Sequence, residues 1–137
     1  MKNNLTHSET LVDSSVWIDY LKNVKSPKTE LLDKLIQLDL VAICPQVIQE
    51  ILQGIRDDKE FNKVRIHLLN LNVFTVDHIE LAVGAASMYR ALRKKGITIR
   101  KQNDCSIAYY CMRFNLVLLH SDRDFNLIVN EFDIVTI

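Results

Sequence analysis

Part of the apolar content of this chain lies in short unbroken runs, the pattern of strands that are buried on both faces of a parallel sheet. Gly and Pro number only 3 and 2, too few for the many turns of an all-β domain. We therefore predict four or five short strands. They cover residues 11–12, 40–43, 73–76, 116–120 and, with a less apolar pattern, 133–136.

Between these runs, apolar residues recur every three or four positions, which predicts amphipathic helices. Aspartates stand where helix N-caps are expected, at Asp13, Asp77, Asp104 and Asp122. Gly96 is expected to end the longest helix. The spacing within that helix predicts a core-facing stripe made of Ile79, Ala82, Val83, Ala86, Met88 and Leu92.

Strands that alternate with helices indicate an α/β fold, in which helices cover both faces of a short parallel sheet. The commonest arrangement of this kind is a Rossmann-like three-layer sandwich. A length of 137 residues fits one domain, which we place at residues 10–137. Residues 1–9 lack a periodic pattern, and we expect them to form a flexible N-terminal extension.

Charged residues balance, with 17 Lys plus Arg against 17 Asp plus Glu, so net charge does not identify nucleic acid as a partner. An RNA site would need a local basic patch. The densest basic run includes Arg93, Lys94, Lys95 and Arg100. The same cations would also suit a solvated helix C-terminus, where they interact favourably with the helix dipole.

The cysteines, Cys44, Cys105 and Cys111, are odd in number and lack the spacing of a zinc site or a disulfide framework. We expect reduced thiols in a cytoplasmic protein. No apolar run approaches the roughly 18 residues that a membrane span needs, and the N-terminus lacks the apolar stretch of a signal peptide. The sequence therefore predicts no contact with a membrane.

Two aspartates follow predicted strands, and parallel sheets bind ligands beyond the carboxyl ends of their strands. These residues are Asp13 and Asp122. Asp104 would join them at that edge if its helix forms the crossover. Helical spacing places Glu50 on the polar side of its helix and predicts that it is exposed. An N-cap role alone would also account for each aspartate.

A cluster of such carboxylates would have a defined chemistry. Two of them about 4 Å apart repel each other by about 4 kcal/mol at an effective dielectric constant of 20. The group must therefore keep a proton or bind a cation. Ligands that are all oxygen favour hard ions such as Mg²⁺ or Mn²⁺, and these ions suit phosphodiester cleavage.

Four segments together resemble the motifs of the PIN-domain family, in particular those of VapC-type toxins. The first reads Leu-Val-Asp-Ser-Ser-Val-Trp-Ile-Asp-Tyr-Leu at residues 11–21. The other three lie at residues 45–54, 103–108 and 121–125, in the order and with the gaps of the family. Their acidic positions fall on Asp13, Glu50, Asp104 and Asp122.

The resemblance implies a Rossmann-like PIN fold and an acidic pocket that binds Mg²⁺ or Mn²⁺. It assigns catalytic roles to the four acidic residues at those motif positions. We expect Asp13 and Asp104 to be the main metal ligands, and Glu50 and Asp122 to complete the pocket. Asp124 and Ser14 are possible auxiliary residues.

The resemblance also implies an endoribonuclease that cleaves structured RNA such as tRNA or ribosomal RNA, and that a VapB-like antitoxin neutralises. It further implies a homodimer. Two alternatives stay open from the sequence. One is a PIN nuclease that acts in RNA processing without a toxin role, and the other is a PIN module that binds without cleaving.

Overall fold

A computed structural model describes residues 9–137 as one four-stranded sheet with helices on its faces. All strand pairs are parallel, and the strand order is β3-β2-β1-β4. The strands are β1 (Thr10–Val12), β2 (Val41–Ile43), β3 (Asn72–Val73) and β4 (Val117–Leu119). The predicted α/β class with a parallel sheet is confirmed.

Seven helices connect and cover the strands of the described part. They are α1 (Ser14–Leu21), α2 (Pro27–Gln37), α3 (Pro45–Gln53), α4 (Asp58–Leu69), α5 (His78–Lys94), α6 (Gln102–Phe114) and α7 (Arg123–Phe132). Within residues 9–137, none of them combines the length and the apolarity needed to cross a bilayer.

The centre of the sheet is fully buried, as the unbroken apolar runs predicted. Every residue of β1 and β2 is buried. Leu11 pairs with Ala42 on one side and with Leu118 on the other. Because all strands run in the same direction, the carboxyl ends of β1 and β4 lie side by side at one edge.

The N-terminal extension predicted for residues 1–9 lies outside the described residues except for Glu9. The Glu9 carbonyl accepts a hydrogen bond from the Val117 backbone N–H at 3.0 Å. This bond joins the residue before β1 to the first residue of β4.

The fifth predicted strand is reduced to a single bridge between Thr136 and Leu118. Asp133 takes a left-handed conformation (φ 54°) as the C-cap of α7. Since residue 133 ends the helix in this way, only the last few residues reach the sheet edge. The prediction of a strand over residues 133–136 is therefore wrong in length, and the bridge places its end beside β4.

Three of the four predicted aspartate caps are confirmed, at Asp13, Asp77 and Asp122. The fourth is wrong, because Lys101 is the N-cap of α6 and Asp104 lies inside the first turn. The side chain of Asp104 therefore has no capping role. Gly96 follows α5 with φ +80°, as the predicted helix stop requires.

Only two of the six residues predicted on the inner face of α5 are buried, Met88 and Leu92. Ile79 and Val83 are 71% and 62% exposed, and Ala82 and Ala86 are exposed as well. The first half of α5 packs against α6 at Gly84 instead, since an added Cβ there would stand 2.2 Å from Cε1 of Tyr109. An apolar stripe is left on the outer side of the helix.

Candidate active site

Asp13 follows β1 directly and lies at the carboxyl edge of the sheet. Its N–H donates to the Leu119 carbonyl of β4 at 2.9 Å, which ties the residue to the neighbouring strand. Its side chain is buried and accepts from the Ser15 hydroxyl at 2.7 Å and the Ser15 N–H at 3.3 Å. Of the two serines in the motif, Ser15 and not Ser14 therefore orients this carboxylate.

Asp104 projects from the first turn of α6, and its side chain is 4% exposed. Its Oδ2 is buried and has no hydrogen-bond partner within residues 9–137. Burial, followed by the charges of Asp13 and Asp122, raises the pKa of this carboxyl to about 7. A carboxylate in this setting costs stability unless a proton or a cation neutralises it.

Asp122 is the N-cap of α7, and its Oδ1 accepts from the Asp124 N–H at 2.9 Å. Its Oδ2 accepts from the Lys101 ammonium at 3.1 Å. The backbone hydrogen bond, followed by that of Lys101, lowers the pKa of Asp122. In contrast to Asp104, this side chain has a hydrogen-bond partner on each of its oxygens.

The structure brings Asp104, Asp122 and Asp124 together, with one carboxylate oxygen of each within 4.8 Å of the others. Asp124 also accepts from Arg100, at 3.1 Å from Nη2 and 3.2 Å from Nε. The three carboxylates thus lie close together, and two of them are paired with cations: Asp122 with Lys101 and Asp124 with Arg100.

Glu50 and Asp13 are outside this group of three but close enough to act on it, because the charge of each raises the pKa of Asp104. Glu50 is half-buried, and its Oε1 is enclosed without a partner in the described part of the chain. The predicted exposure of Glu50 is therefore wrong. Gln49 and Gln53 on the same polar side are exposed as predicted, and α3 packs against both α1 and α6, which helical spacing within α3 alone does not predict.

The donor set fits a hard divalent cation. All the candidate ligands are carboxylate oxygens, which favour Mg²⁺ or Mn²⁺ over zinc. The buried Asp104 Oδ2 is the strongest single observation, because a cation is the partner that its position lacks. Asp104 would hold the ion together with Asp122 and Asp124, which share its group, and with Asp13, the second main ligand expected from the resemblance. Glu50 adds negative charge around it.

Sequence reasoning missed two features of this edge. Lys101 directly follows Arg100 of the basic run, and nothing in the spacing predicted its ion pair with Asp122. Lys28 donates to the His120 carbonyl at the end of β4, and burial, followed by the Lys28 charge, lowers the pKa of His120. These pairs join residues far apart in the sequence, so they depend on the fold and leave no local pattern.

The predicted basic run is divided in the structure. Lys95 pairs with Glu131 at 2.6 Å, and the Arg93 guanidinium lies 5.7 Å from the centre of the Tyr89 ring. Lys94 is exposed, and within residues 9–137 it has no ion-pair partner. Arg100 is the member of the run that contacts the acidic cluster.

Comparison with known proteins finds relatives that match most of the chain. VapC ribonuclease Mb1587 of Mycobacterium bovis is 32% identical over 120 residues, which cover 86% of this chain and 90% of that protein. Ribonuclease VapC11 of Mycobacterium tuberculosis matches to the same extent.

Solved structures at lower identity share the fold. DNA-bound VapBC from Salmonella typhimurium gives a TM-score of 0.74 at 18% identity and covers 95% of this chain and 97% of that one. VapBC-1 from nontypeable Haemophilus influenzae gives 0.70 at 18% identity, with 93% and 96% covered. The family model of the PIN domain matches residues 10–130, and the chain therefore belongs to the PIN-domain family.

Proposed function

We propose that this protein is a metal-dependent endoribonuclease of the VapC type and the toxin of a toxin–antitoxin pair. The buried, unpartnered carboxylate of Asp104 beside Asp122 and Asp124 carries the proposal. A module that only binds would have no use for a charge that its own fold leaves uncompensated. The VapC ribonucleases that the chain resembles over most of its length support the same activity.

Each acidic residue has a proposed role. Asp13, fixed by Ser15, and Asp104 are the main ligands of Mg²⁺ or Mn²⁺ that the resemblance implies. Asp122, with Asp124 as an auxiliary ligand, binds the same ion, because one carboxylate oxygen of each lies within 4.8 Å of Asp104. Glu50 completes the catalytic set by acting through water and by holding the site negative. When bound, a divalent ion would supply the means to lower the pKa of a water molecule and to offset charge on the phosphate.

The substrate that we propose is structured RNA such as tRNA or ribosomal RNA. RNA needs cationic contacts because its phosphates dominate affinity. Arg93, Lys94 and Lys95 stand at the end of α5, on the segment that leads to Arg100 at the acidic cluster. We propose that this run follows the RNA backbone towards the site.

Cleavage of a mixed tRNA and ribosomal RNA pool by the purified protein, free of antitoxin, tests the activity. The reaction is run with Mg²⁺, Mn²⁺ or EDTA, beside Asp13→Asn and the exposed control Asp58→Asn. We expect discrete fragments that require metal, persist in the control and vanish in Asp13→Asn. Full activity in Asp13→Asn or in EDTA would contradict the proposal.

We also propose two protein partners. A VapB-like antitoxin is supported by the VapBC complexes among the structures with this fold. A second copy is supported by the outer stripe of α5, where Ile79 and Val83 are largely exposed and Ala82 and Ala86 allow close helix approach. A two-fold dimer would bury this face of one copy against the same face of the other.

Sedimentation velocity tests the second copy. We expect a dimer for the wild type and a monomer for Val83→Glu, because a charge on this stripe would be buried against its own copy. Ile66→Glu is the matched control, since Ile66 is 53% exposed on α4. A wild-type monomer, or a dimer that survives Val83→Glu, would contradict this assignment.

A further inference from the structure

Two adjacent cations, Arg100 and Lys101, cover the acidic cluster from the solvent side. Their side chains are 79% and 63% exposed, while the carboxylates that they contact, Asp124 and Asp122, are 22% and 20% exposed. Ion pairs with exposed partners contribute little to stability. The cations are therefore positioned on the cluster but easily released from it.

The carboxylates that these cations contact are the ones that a metal ion would use. Oδ1 of Asp122 is used by the N-cap bond to the Asp124 N–H, and Lys101 contacts the other oxygen, Oδ2. Arg100 places both of its donors on Oδ2 of Asp124. A divalent cation thus competes with Lys101 for Oδ2 of Asp122, and at Asp124 it competes with Arg100 for the charge of the carboxylate.

We propose that Arg100 and Lys101 exchange partners: they neutralise Asp124 and Asp122 in the metal-free protein and bind RNA phosphate when those carboxylates hold a divalent cation. This inference rests on the proposed function, since it assigns the phosphate contacts of that same site. A divalent cation and the two basic side chains repel each other. Because the side chains leave the carboxylates when the cation binds, the two kinds of positive charge do not share the same ligands.

The chemistry of the two side chains suits phosphate. Arginine presents a planar fork that bonds two phosphate oxygens at once, and lysine acts as a compact point charge. Both side chains reach the solvent at the rim of the cluster, where a phosphate beside the metal would lie. Metal and RNA binding are then coupled, and by linkage each strengthens the other.

Mn²⁺ titration without RNA, followed by calorimetry, tests the competition directly. The variant is Arg100→Gln/Lys101→Gln. The control, Arg93→Gln/Lys94→Gln, removes the same charge from the neighbouring end of α5, away from the carboxylates. We expect Mn²⁺ to bind the variant about three- to tenfold more tightly than the wild type, and to bind the control within about twofold of the wild type. Unchanged or weaker binding to the variant, or an equal gain in the control, would overturn the exchange.

Affinity for a tRNA pool tests the second half of the exchange, with Ca²⁺ or with EDTA present. In Ca²⁺ we expect the same double variant to lose about fivefold or more in RNA affinity, roughly one phosphate contact per cation. In EDTA we expect a loss below about twofold, because the wild-type side chains are then held by Asp122 and Asp124. Equal losses in both conditions would contradict the proposal.

The two experiments separate this inference from the proposed function. If the wild type fails to cleave any RNA, the ribonuclease assignment fails, while the Mn²⁺ titration still reports whether the cations compete for the carboxylates. If cleavage occurs and the Mn²⁺ affinities of wild type and variant are equal, the exchange alone fails.

Discussion

Glu80 and Asp104 are acidic side chains on the neighbouring helices α5 and α6, and the fold treats them in opposite ways. Glu80 accepts from the Tyr109 hydroxyl at 2.6 Å and from Nε of Arg113 at 2.9 Å, and these bonds, with that of Tyr109 the larger, lower its pKa. Asp104 is buried without a donor on Oδ2, and burial raises its pKa to about 7.

The difference distinguishes a structural carboxylate from a functional one. The partners of Glu80 come from the same pair of helices, so its interactions are complete once α5 packs on α6. Asp104 is surrounded by Asp13, Asp122 and Glu50, whose charges all oppose its ionisation. The fold leaves its partner to be supplied from outside, as a functional site that binds a cation requires.

The largest expected effect is on the stability of the metal-free protein when Asp104 is replaced by Asn. The folded protein keeps the Asp104 proton up to about pH 7, whereas the unfolded chain loses it near 3.8. The folded state therefore binds more protons in this window, and the free energy of unfolding falls as pH rises through it. Above pH 7, we expect Asp104→Asn to be more stable by up to about 4 kcal/mol.

Urea unfolding in EDTA at pH 4 and pH 8 measures this effect, with the exposed Asp58→Asn as control. The gain should be present at pH 8 and nearly absent at pH 4, where the carboxyl is protonated in the folded protein. A gain of equal size at both pH values would show that charge on Asp104 is not its cause.

The second effect concerns the surroundings of Glu80 and is produced by a substitution at Gly84, which packs against Tyr109. A methyl group there would stand 2.2 Å from Cε1 and 2.5 Å from Cδ1 of the Tyr109 ring, so the ring and its bond to Glu80 must move. Overpacking of this kind costs about 1–3 kcal/mol. We expect Gly84→Ala to lower the free energy of unfolding by that amount.

Thermal and urea unfolding check the prediction, and two further variants sharpen it. Gly54→Ala is the matched control, because the nearest atoms to its added Cβ lie at 3.7 and 3.9 Å. Gly84→Ala/Tyr109→Ala should recover stability relative to Tyr109→Ala alone, since the clash is gone. If Gly84→Ala is neutral, α5 and α6 do not pack as closely as the structure has them.

The smallest effect is expected for Glu80→Gln, which keeps the shape and the hydrogen bond of Tyr109 but removes the charge. Because the pKa of Glu80 is lowered in the folded protein, its contribution to stability is present above the unfolded value, about 4.5, and is lost as pH falls through the folded value. The variant should be slightly less stable than wild type at pH 7 and indistinguishable from it at the acidic end. Urea unfolding of both proteins across this pH range measures the difference. A variant more stable than the wild type at pH 7 would refute the stabilising role of the Glu80 charge.

The sequence predicted the sheet better than the helix faces. Buried strands leave an unbroken apolar run, so the runs at residues 11–12 and 116–120 located β1 and β4 and, through them, the edge where Asp13 and Asp122 lie. Ile79 and Val83 were predicted to face the core but are exposed, because helical periodicity marks an apolar face without saying whether the core or another chain covers it.

The site was predictable mainly through the resemblance to a family. Local spacing gave an N-cap as the simplest role for Asp104, and the structure removes that role by starting α6 at Gln102. The ion pairs of Arg100 and Lys101 join residues 24 and 21 positions apart. Such contacts depend on how α7 returns to α6, and no periodic pattern records them.

The most direct measurement of the central claim is the rate of RNA cleavage by Asp104→Asn in Mn²⁺, on the same tRNA and ribosomal RNA pool as the wild type. We expect a folded protein whose cleavage rate falls by about 100-fold or more, because the lost interaction is one with the metal and not with the fold. Cleavage within about threefold of the wild-type rate would contradict the claim that this buried carboxylate belongs to the catalytic site.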